Sequence, residues 1–130
     1  MITTLFTNAR LIDPEAGTDG PGWLLIDKGL IAERGIGDDR PQAEVVVDCG
    51  GQCLAPGIVD IGVKVCEPGE RHKESYRSAG LAAAAGGVTT MATRPDTLPA
   101  IDSPEVLEFV ARRANEAAPV NVLPMAALTK

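Results

Sequence analysis

The chain has 130 residues, of which 45% are hydrophobic and only 3% aromatic, so Ala, Val, Leu and Ile must supply its core. The formal net charge is −6 and no run of Lys or Arg stands out, which excludes nucleic acid or an anionic membrane surface as an expected partner. No apolar run approaches the roughly 20 residues that cross a bilayer. Three cysteines in a chain that lacks a signal-peptide pattern predict reduced thiols and a cytoplasmic protein.

The first region, residues 1–55, has the pattern of short strands joined by tight turns. Apolar runs predict strands in "LFTNARLID", "GWLLID" and "LIAERGIG". The sequence "DKG" at 27–29 predicts a hairpin in which Gly29 takes a positive φ. "EVVVDCGGQCLAPG" predicts a second hairpin about the Gly pair at 50–51. We therefore expect a small antiparallel sheet that forms one wall of a sandwich.

In residues 56–130 the pattern changes to strands that alternate with helices. "IVDIGVKV", "VTTMAT" and "VNVLPMAAL" predict strands, and "KESYRSAGLAAAAGG" predicts a helix that ends at its Gly pair. Ser103-Pro104-Glu105 supplies the N-cap, proline and acid of a second helix, "PEVLEFVARRANEAA". Short links between these elements predict parallel βαβ units. Three such strands fit either a small open sheet or the start of a barrel of roughly 250 residues.

The stretch "DIGVKV" places charged side chains on a strand that should be buried. Alternate side chains of a strand share a face, so Asp60, Gly62 and Lys64 point one way, and Cys66 continues the row. Parallel strands covered on both faces are normally hydrophobic throughout. One interpretation is an Asp60–Lys64 ion pair near the carboxyl end of the strand. The other is a functional pocket at that end, where barrels and open sheets place their sites.

The remaining candidate ligands have simpler interpretations. His72, the only histidine, lies in "ERHKES", where we expect a solvated loop side chain. Cys49 and Cys53 flank a Gly pair, but a zinc knuckle needs a second Cys or His pair. We therefore expect these two cysteines to be small buried side chains. "GGVTT" is not a phosphate loop, because no Gly-Lys-Ser/Thr follows it.

The stretch "LAPGIVDIGVKVCEPGERHKES", followed by "AGLAAAAGGVTTMATRPDTLPAID", resembles the N-terminal part of dihydroorotase and of related cyclic amidohydrolases such as hydantoinase and allantoinase. "LFTNARLIDPE" and "VNVLPMAALTK" extend the resemblance over essentially the whole chain. It implies an α/β fold, the N-terminal part of an amidohydrolase-type (β/α)8 TIM barrel with a small flanking β-sandwich. Residues 1–55 would form strands of the sandwich. Residues 56–130 would form the first βαβαβ units of a barrel that continues beyond this chain.

The resemblance also implies a site from which this chain departs. Active members read Asp-x-His-x-His on the strand that holds Asp60, and both imidazoles bind zinc. Gly62 and Lys64 stand at the two histidine positions; glycine has no side chain, and a protonated lysine has no lone pair. Cys66 replaces an arginine that grips the substrate carboxylate. Asp96 replaces an asparagine that contacts the substrate, and a carboxylate there would repel an anion.

These departures predict a dihydroorotase-like protein of pyrimidine biosynthesis with no catalytic residues, no bound metal and no other cofactor. The resemblance implies a structural or regulatory partner of aspartate transcarbamoylase, the preceding enzyme, within a homo- or hetero-oligomer. Two alternatives stay open. One is an active amidohydrolase that acts on another cyclic amide through an altered metal site. The other is a protein that binds a small ligand in the same barrel mouth.

Lys64 carries one more expectation. Its ammonium would be buried in the space left by the metal, with Asp60 or acids later in the chain as counter-charges. Lys64→Ala would then destabilise the fold strongly, because it would leave a carboxylate buried and unpaired.

Overall fold

The computed structural model describes residues 2–129, and the chain divides between Pro56 and Gly57 into two compact units. The first unit contains five strands: β1 Thr4–Asp13, β2 Thr18–Asp27, β3 Leu30–Gly35, β4 Val45–Asp48 and β5 Cys53–Leu54. The second contains three strands and two helices: β6 Ile58–Val63, α1 Tyr76–Ala85, β7 Val88–Thr93, α2 Pro104–Ala117 and β8 Asn121–Pro124. Neither helix in residues 2–129 has the length and apolar character needed to cross a membrane.

The first unit is one mixed sheet with the strand order β3-β2-β1-β4, in which β5 also pairs with β1. β1, β2 and β3 are antiparallel neighbours. The predicted hairpin between β2 and β3 is confirmed, and both Lys28 and Gly29 take a positive φ, 53° and 78°. The prediction of an antiparallel sheet is wrong in one respect, because β4 and β5 both run parallel to β1.

The second predicted hairpin is also wrong, since β4 and β5 pair with β1 rather than with each other. They follow one another along the same edge of β1, and the Gly pair at 50–51, with φ of 59° and 79°, shifts the chain between the two pairings. Asn8 fixes this turn: its side chain donates to the Asp48 carboxylate at 3.0 Å, and its carbonyl accepts the Gly51 N–H at 2.7 Å. The partners lie about forty residues apart, so the local pattern does not reveal them.

The second unit is a parallel sheet with the strand order β6-β7-β8, which confirms the predicted βαβαβ arrangement. α1 begins after Ser75, whose hydroxyl accepts the Ser78 N–H at 3.2 Å. α2 begins after the predicted N-cap Ser103, with Pro104 in its first turn. β8 is shorter than the predicted strand and ends at Pro124. These strands agree with the N-terminal portion of an α/β barrel, although three strands do not close one.

The core of the second unit lies where the two helices cover the sheet. Its buried members come from both helices, from β7 and from the loops that follow β6 and β7: Val65, Tyr76, Ala79, Met91, Ile101, Val110 and Ala114. Tyr76, Ile101 and Val110 are completely buried. The loops after β6 and β7 are therefore anchored in the core, and these loops carry most of the candidate site.

Candidate functional site

The candidate site lies at the carboxyl ends of β6 and β7. Lys64 follows the last residue of β6, and Arg94 follows the last residue of β7. The Arg94 N–H donates to the Val63 carbonyl at 2.9 Å, which holds the two strand ends side by side. In the loop after β7, the N–H of the buried Ile101 donates to the Pro95 carbonyl at 3.0 Å. This loop therefore presents Asp96 next to Lys64 from a fixed backbone.

Three of these side chains form one ion cluster, which we call the Lys64–Asp96–Arg94 cluster. The Lys64 ammonium donates to Asp96 Oδ2 at 2.9 Å. Arg94 Nε donates to Oδ1 and Arg94 Nη2 to Oδ2, each at 3.1 Å. The hydrogen bond from Lys64 holds the pKa of the Asp96 carboxyl below its usual range, and the Arg94 charge adds to this effect. Asp96 is thus a carboxylate held by two cations from two strand ends.

The sequence left two counter-charges open for Lys64, Asp60 or an acid later in the chain, and the structure pairs it with the later acid Asp96. The cause is a bulge at Gly62: Ile61 pairs with Ala92 and Val63 with Thr93, so Gly62 is an additional residue with a φ of +90°. The strict alternation that placed Asp60, Gly62 and Lys64 on one face is therefore interrupted. Within residues 2–129, 52% of the Lys64 side chain is exposed, and its burial in the full protein stays a prediction.

A second ion pair lies in the loop between β6 and α1. Lys73 donates to Glu70, and this hydrogen bond lowers the pKa of the Glu70 carboxyl, with smaller contributions from the charges of His72 and Lys64. The Glu70 N–H donates to the carbonyl of the half-buried Cys66 at 2.8 Å. His72 is exposed, as the sequence predicts for a loop residue. Positive and negative side chains therefore alternate across this end of the sheet.

Sequence reasoning missed Glu67, the most buried charged side chain near the site, at 4% exposure. One carboxylate oxygen accepts the Arg113 Nε at 3.1 Å, and the other accepts the Tyr76 N–H at 3.1 Å. The Arg71 guanidinium lies 3.7 Å from the first oxygen. Glu67 thus joins the loop after β6 to the start of α1 and to α2. An acid in "CEPG" carries no local signal of this role, because Arg113 is 46 residues away.

The expectation of two buried cysteines in the first unit is wrong. Cys49 is half-buried and Cys53 is exposed, and both are free thiols. Cys53 is exposed because it lies on β5, which pairs with β1 over only two residues, and Cys49 lies in the turn between β4 and β5.

The described residues do not fit the zinc that the family resemblance implies. Within residues 2–129, no group of three or more His, Cys, Asp or Glu is placed to hold a metal ion. Position 62 offers no donor atom, and the Lys64 ammonium is engaged with Asp96. That the protein carries no metal remains a prediction.

Comparison with known proteins gives one consistent match. A family model described as "Dihydro-orotase-like" matches residues 51–130. A "Dihydroorotase" of Pelobacter propionicus is 42% identical over 125 residues, which are 96% of this chain and 30% of that protein. A "Dihydroorotase-like protein" of Pseudomonas putida is 41% identical over 129 residues, 99% of this chain and again 30% of the relative. The chain therefore spans about 30% of the length of the curated relatives it matches.

Solved structures give the same picture for the fold. L-hydantoinase from Arthrobacter aurescens superposes with a TM-score of 0.84 at 22% identity, over 97% of this chain and 28% of that one. A dihydroorotase structure superposes with a TM-score of 0.63 at 18% identity, over 97% of this chain and 31% of that one. At this level of identity the similarity shows the fold alone.

Proposed function

The chain belongs to the dihydroorotase-like family of amidohydrolases, and from this premise we propose that it is a non-catalytic member that serves as a structural or regulatory partner of aspartate transcarbamoylase. The observation that carries the non-catalytic part is the Lys64–Asp96 ion pair, with 2.9 Å between Nζ and Oδ2. Through the resemblance, these two positions correspond to a zinc ligand and to a substrate-contacting amide. Here they hold opposite charges that satisfy each other.

The Lys64–Asp96 pairing supports a site whose replacements stabilise one another, rather than a site with unrelated replacements. A lysine alone at position 64 would place an ammonium at the carboxyl end of the sheet without a counter-charge. An aspartate alone at position 96 would repel an anionic substrate. Together they form a charge-assisted hydrogen bond, and the Arg94 fork supplies two more. Each replacement therefore makes the other tolerable.

The chemistry of the individual residues points the same way. Hydrolysis of a cyclic amide needs an activated water, and metal-dependent amidohydrolases obtain it from a metal ion held by side chains with a free lone pair, such as a neutral imidazole or a carboxylate. The Lys64 ammonium has no lone pair to donate, and it is already engaged by the Asp96 carboxylate at 2.9 Å.

We expect the full protein, purified without chelator, to contain well below one zinc per chain and to show no interconversion of dihydroorotate and carbamoyl aspartate. Elemental analysis and a spectrophotometric assay in both directions measure this. The Pelobacter propionicus protein, named a dihydroorotase and prepared in the same way, is the positive control. Stoichiometric zinc together with turnover that Lys64→Ala abolishes would instead identify an active enzyme with an altered metal site.

We infer the partner from the dihydroorotase-like family, which belongs to pyrimidine biosynthesis. We also propose that the protein is cytoplasmic and oligomeric and that its thiols are free. We expect the full protein, mixed at micromolar concentration with aspartate transcarbamoylase of the same organism, to elute as one complex. Size-exclusion chromatography with light scattering gives the mass. Lys64→Ala, which changes only the candidate site, should leave the complex intact. Two separate peaks with the masses of the free proteins would contradict the partnership.

A further inference from the structure

We propose that the Lys64–Asp96–Arg94 cluster is a carboxylate-binding site that the chain fills with its own side chain. Asp96 occupies the place that a small carboxylate ligand would take, and its removal opens the site. This inference goes beyond the proposed function and does not depend on it, because it concerns ligand binding and not turnover or assembly.

The geometry around Asp96 is that of carboxylate recognition. The planar Arg94 guanidinium approaches both carboxylate oxygens, with two N···O distances of 3.1 Å. The Lys64 ammonium adds a third hydrogen bond at 2.9 Å to Oδ2. Paired donors from one guanidinium select a carboxylate by shape as well as by charge, and an added ammonium strengthens the selection. One carboxylate thus receives three charge-assisted hydrogen bonds.

The position of the two cations distinguishes the cluster from an ordinary surface ion pair. Lys64 and Arg94 come from the ends of two neighbouring parallel strands, joined by the hydrogen bond between the Arg94 N–H and the Val63 carbonyl. The carboxyl ends of parallel strands are where such folds bind ligands. Within residues 2–129 both cationic side chains are 52% exposed. Two cations facing one anion also leave a net positive charge at this point.

The loop after β7 explains why the site stays filled by Asp96. The Thr97 hydroxyl donates to the Pro99 carbonyl at 2.7 Å, and the buried Ile101 anchors the far end of the loop. The carboxylate is therefore presented from the same chain at an effective concentration of millimolar or more. A free monocarboxylate or dicarboxylate at lower concentration does not displace it. Without the Asp96 carboxylate, the same two cations face solvent.

The test compares the binding of succinate, a small dicarboxylate, by the full protein and its variants in low-salt buffer. We expect Asp96→Ala and Asp96→Asn to bind succinate at least tenfold more tightly than the unchanged protein, by calorimetric or NMR titration. Adding Arg94→Ala or Lys64→Ala to Asp96→Ala should remove most of this gain. Succinamide, which has the same shape and no charge, should bind none of the variants.

The first unit offers a matched control. Asp19 receives a similar fork from Arg10, at 2.6 Å and 2.5 Å, but the described ion pairs bring no second cation to it. Asp19→Ala should therefore gain no succinate binding. The proposal is overturned if folded Asp96→Ala and Asp96→Asn bind succinate no more tightly than the unchanged protein. It is equally overturned if Asp19→Ala gains as much as they do, because any freed guanidinium would then suffice.

Discussion

Glu67→Ala is expected to lower the free energy of unfolding by roughly 1–3 kcal/mol, as is usual when a buried hydrogen-bond donor loses its acceptor. The Glu67 side chain is 4% exposed, and its carboxylate joins three segments of the second unit. The change leaves the Tyr76 N–H at the start of α1 without its acceptor, and it leaves Arg113, whose side chain is 24% exposed, with its surface partner Glu116. Urea denaturation of the full protein, followed by circular dichroism, measures the loss.

Glu116→Ala is the matched control, because Glu116 pairs with the same arginine from the surface. Its carboxylate lies 3.4 Å from Arg113 Nη1, and 55% of its side chain is exposed. We expect this variant to stay within about 0.5 kcal/mol of the unchanged protein. Glu67→Gln should fall between the two, since its amide oxygen can still accept the Tyr76 N–H. Equal losses in Glu67→Ala and Glu116→Ala would show that burial of the Glu67 carboxylate contributes nothing.

The sequence led us to expect a large loss at Lys64 as well. That expectation assumed a buried ammonium, whereas the Lys64 and Asp96 side chains are 52% and 40% exposed. Water screens the interaction of half-exposed charges, and holding two long side chains in one geometry has an entropic cost. The buried charge near the site is Glu67 instead. Both residues follow β6, but Glu67 contacts the start of α1 and Arg113 of α2, whereas Lys64 pairs with the loop after β7.

The sequence correctly predicts the structural features that depend on residues close together in the chain. The Gly pair that ends α1, the N-cap of α2, the hairpin at Gly29 and the βαβαβ order depend on residues that are neighbours in the chain, and all were found. The second hairpin failed because the Asn8 side chain and carbonyl hold the turn at 50–51 against β1. The local turn residues predicted that the chain would reverse direction there. The contact between Asn8 and Asp48, forty residues apart, instead keeps the chain along β1.

The candidate site divides in the same way. The loss of donor atoms at Gly62 and Lys64 follows from residue chemistry alone and needs no coordinates. The Lys64–Asp96 pair spans 32 residues, and the sequence treated its two members as separate departures. Arg94 carried no signal at all, since an arginine after a strand is ordinarily a solvated side chain. The structure adds the pairing of Lys64 with Asp96. Two replacements that looked like separate losses therefore form one interaction.

Gly62→Ala is expected to lower the free energy of unfolding by about 1–3 kcal/mol, although its new methyl group meets no neighbour. A Cβ built at Gly62 has nothing within 4 Å, so steric crowding is not the cause. The cause is the backbone, since a φ of +90° is one that L side chains rarely adopt. The bulge that Gly62 forms in β6 must therefore either hold a strained residue or rearrange.

Gly20→Ala is the control that separates backbone strain from steric crowding as the cause. Gly20 also has nothing within 4 Å of a built Cβ, but its φ lies outside the left-handed range. Alanine there should leave stability unchanged within about 1 kcal/mol, or raise it by reducing the freedom of the unfolded chain. If both alanines were tolerated equally in urea denaturation, the φ at Gly62 would impose no constraint.

The same strain applies to a histidine, so Gly62→His/Lys64→His should be destabilised and should bind zinc well below one equivalent by elemental analysis. In this chain the missing metal ligand is a matter of backbone conformation as well as of side chain, and restoring two imidazoles does not by itself restore the site.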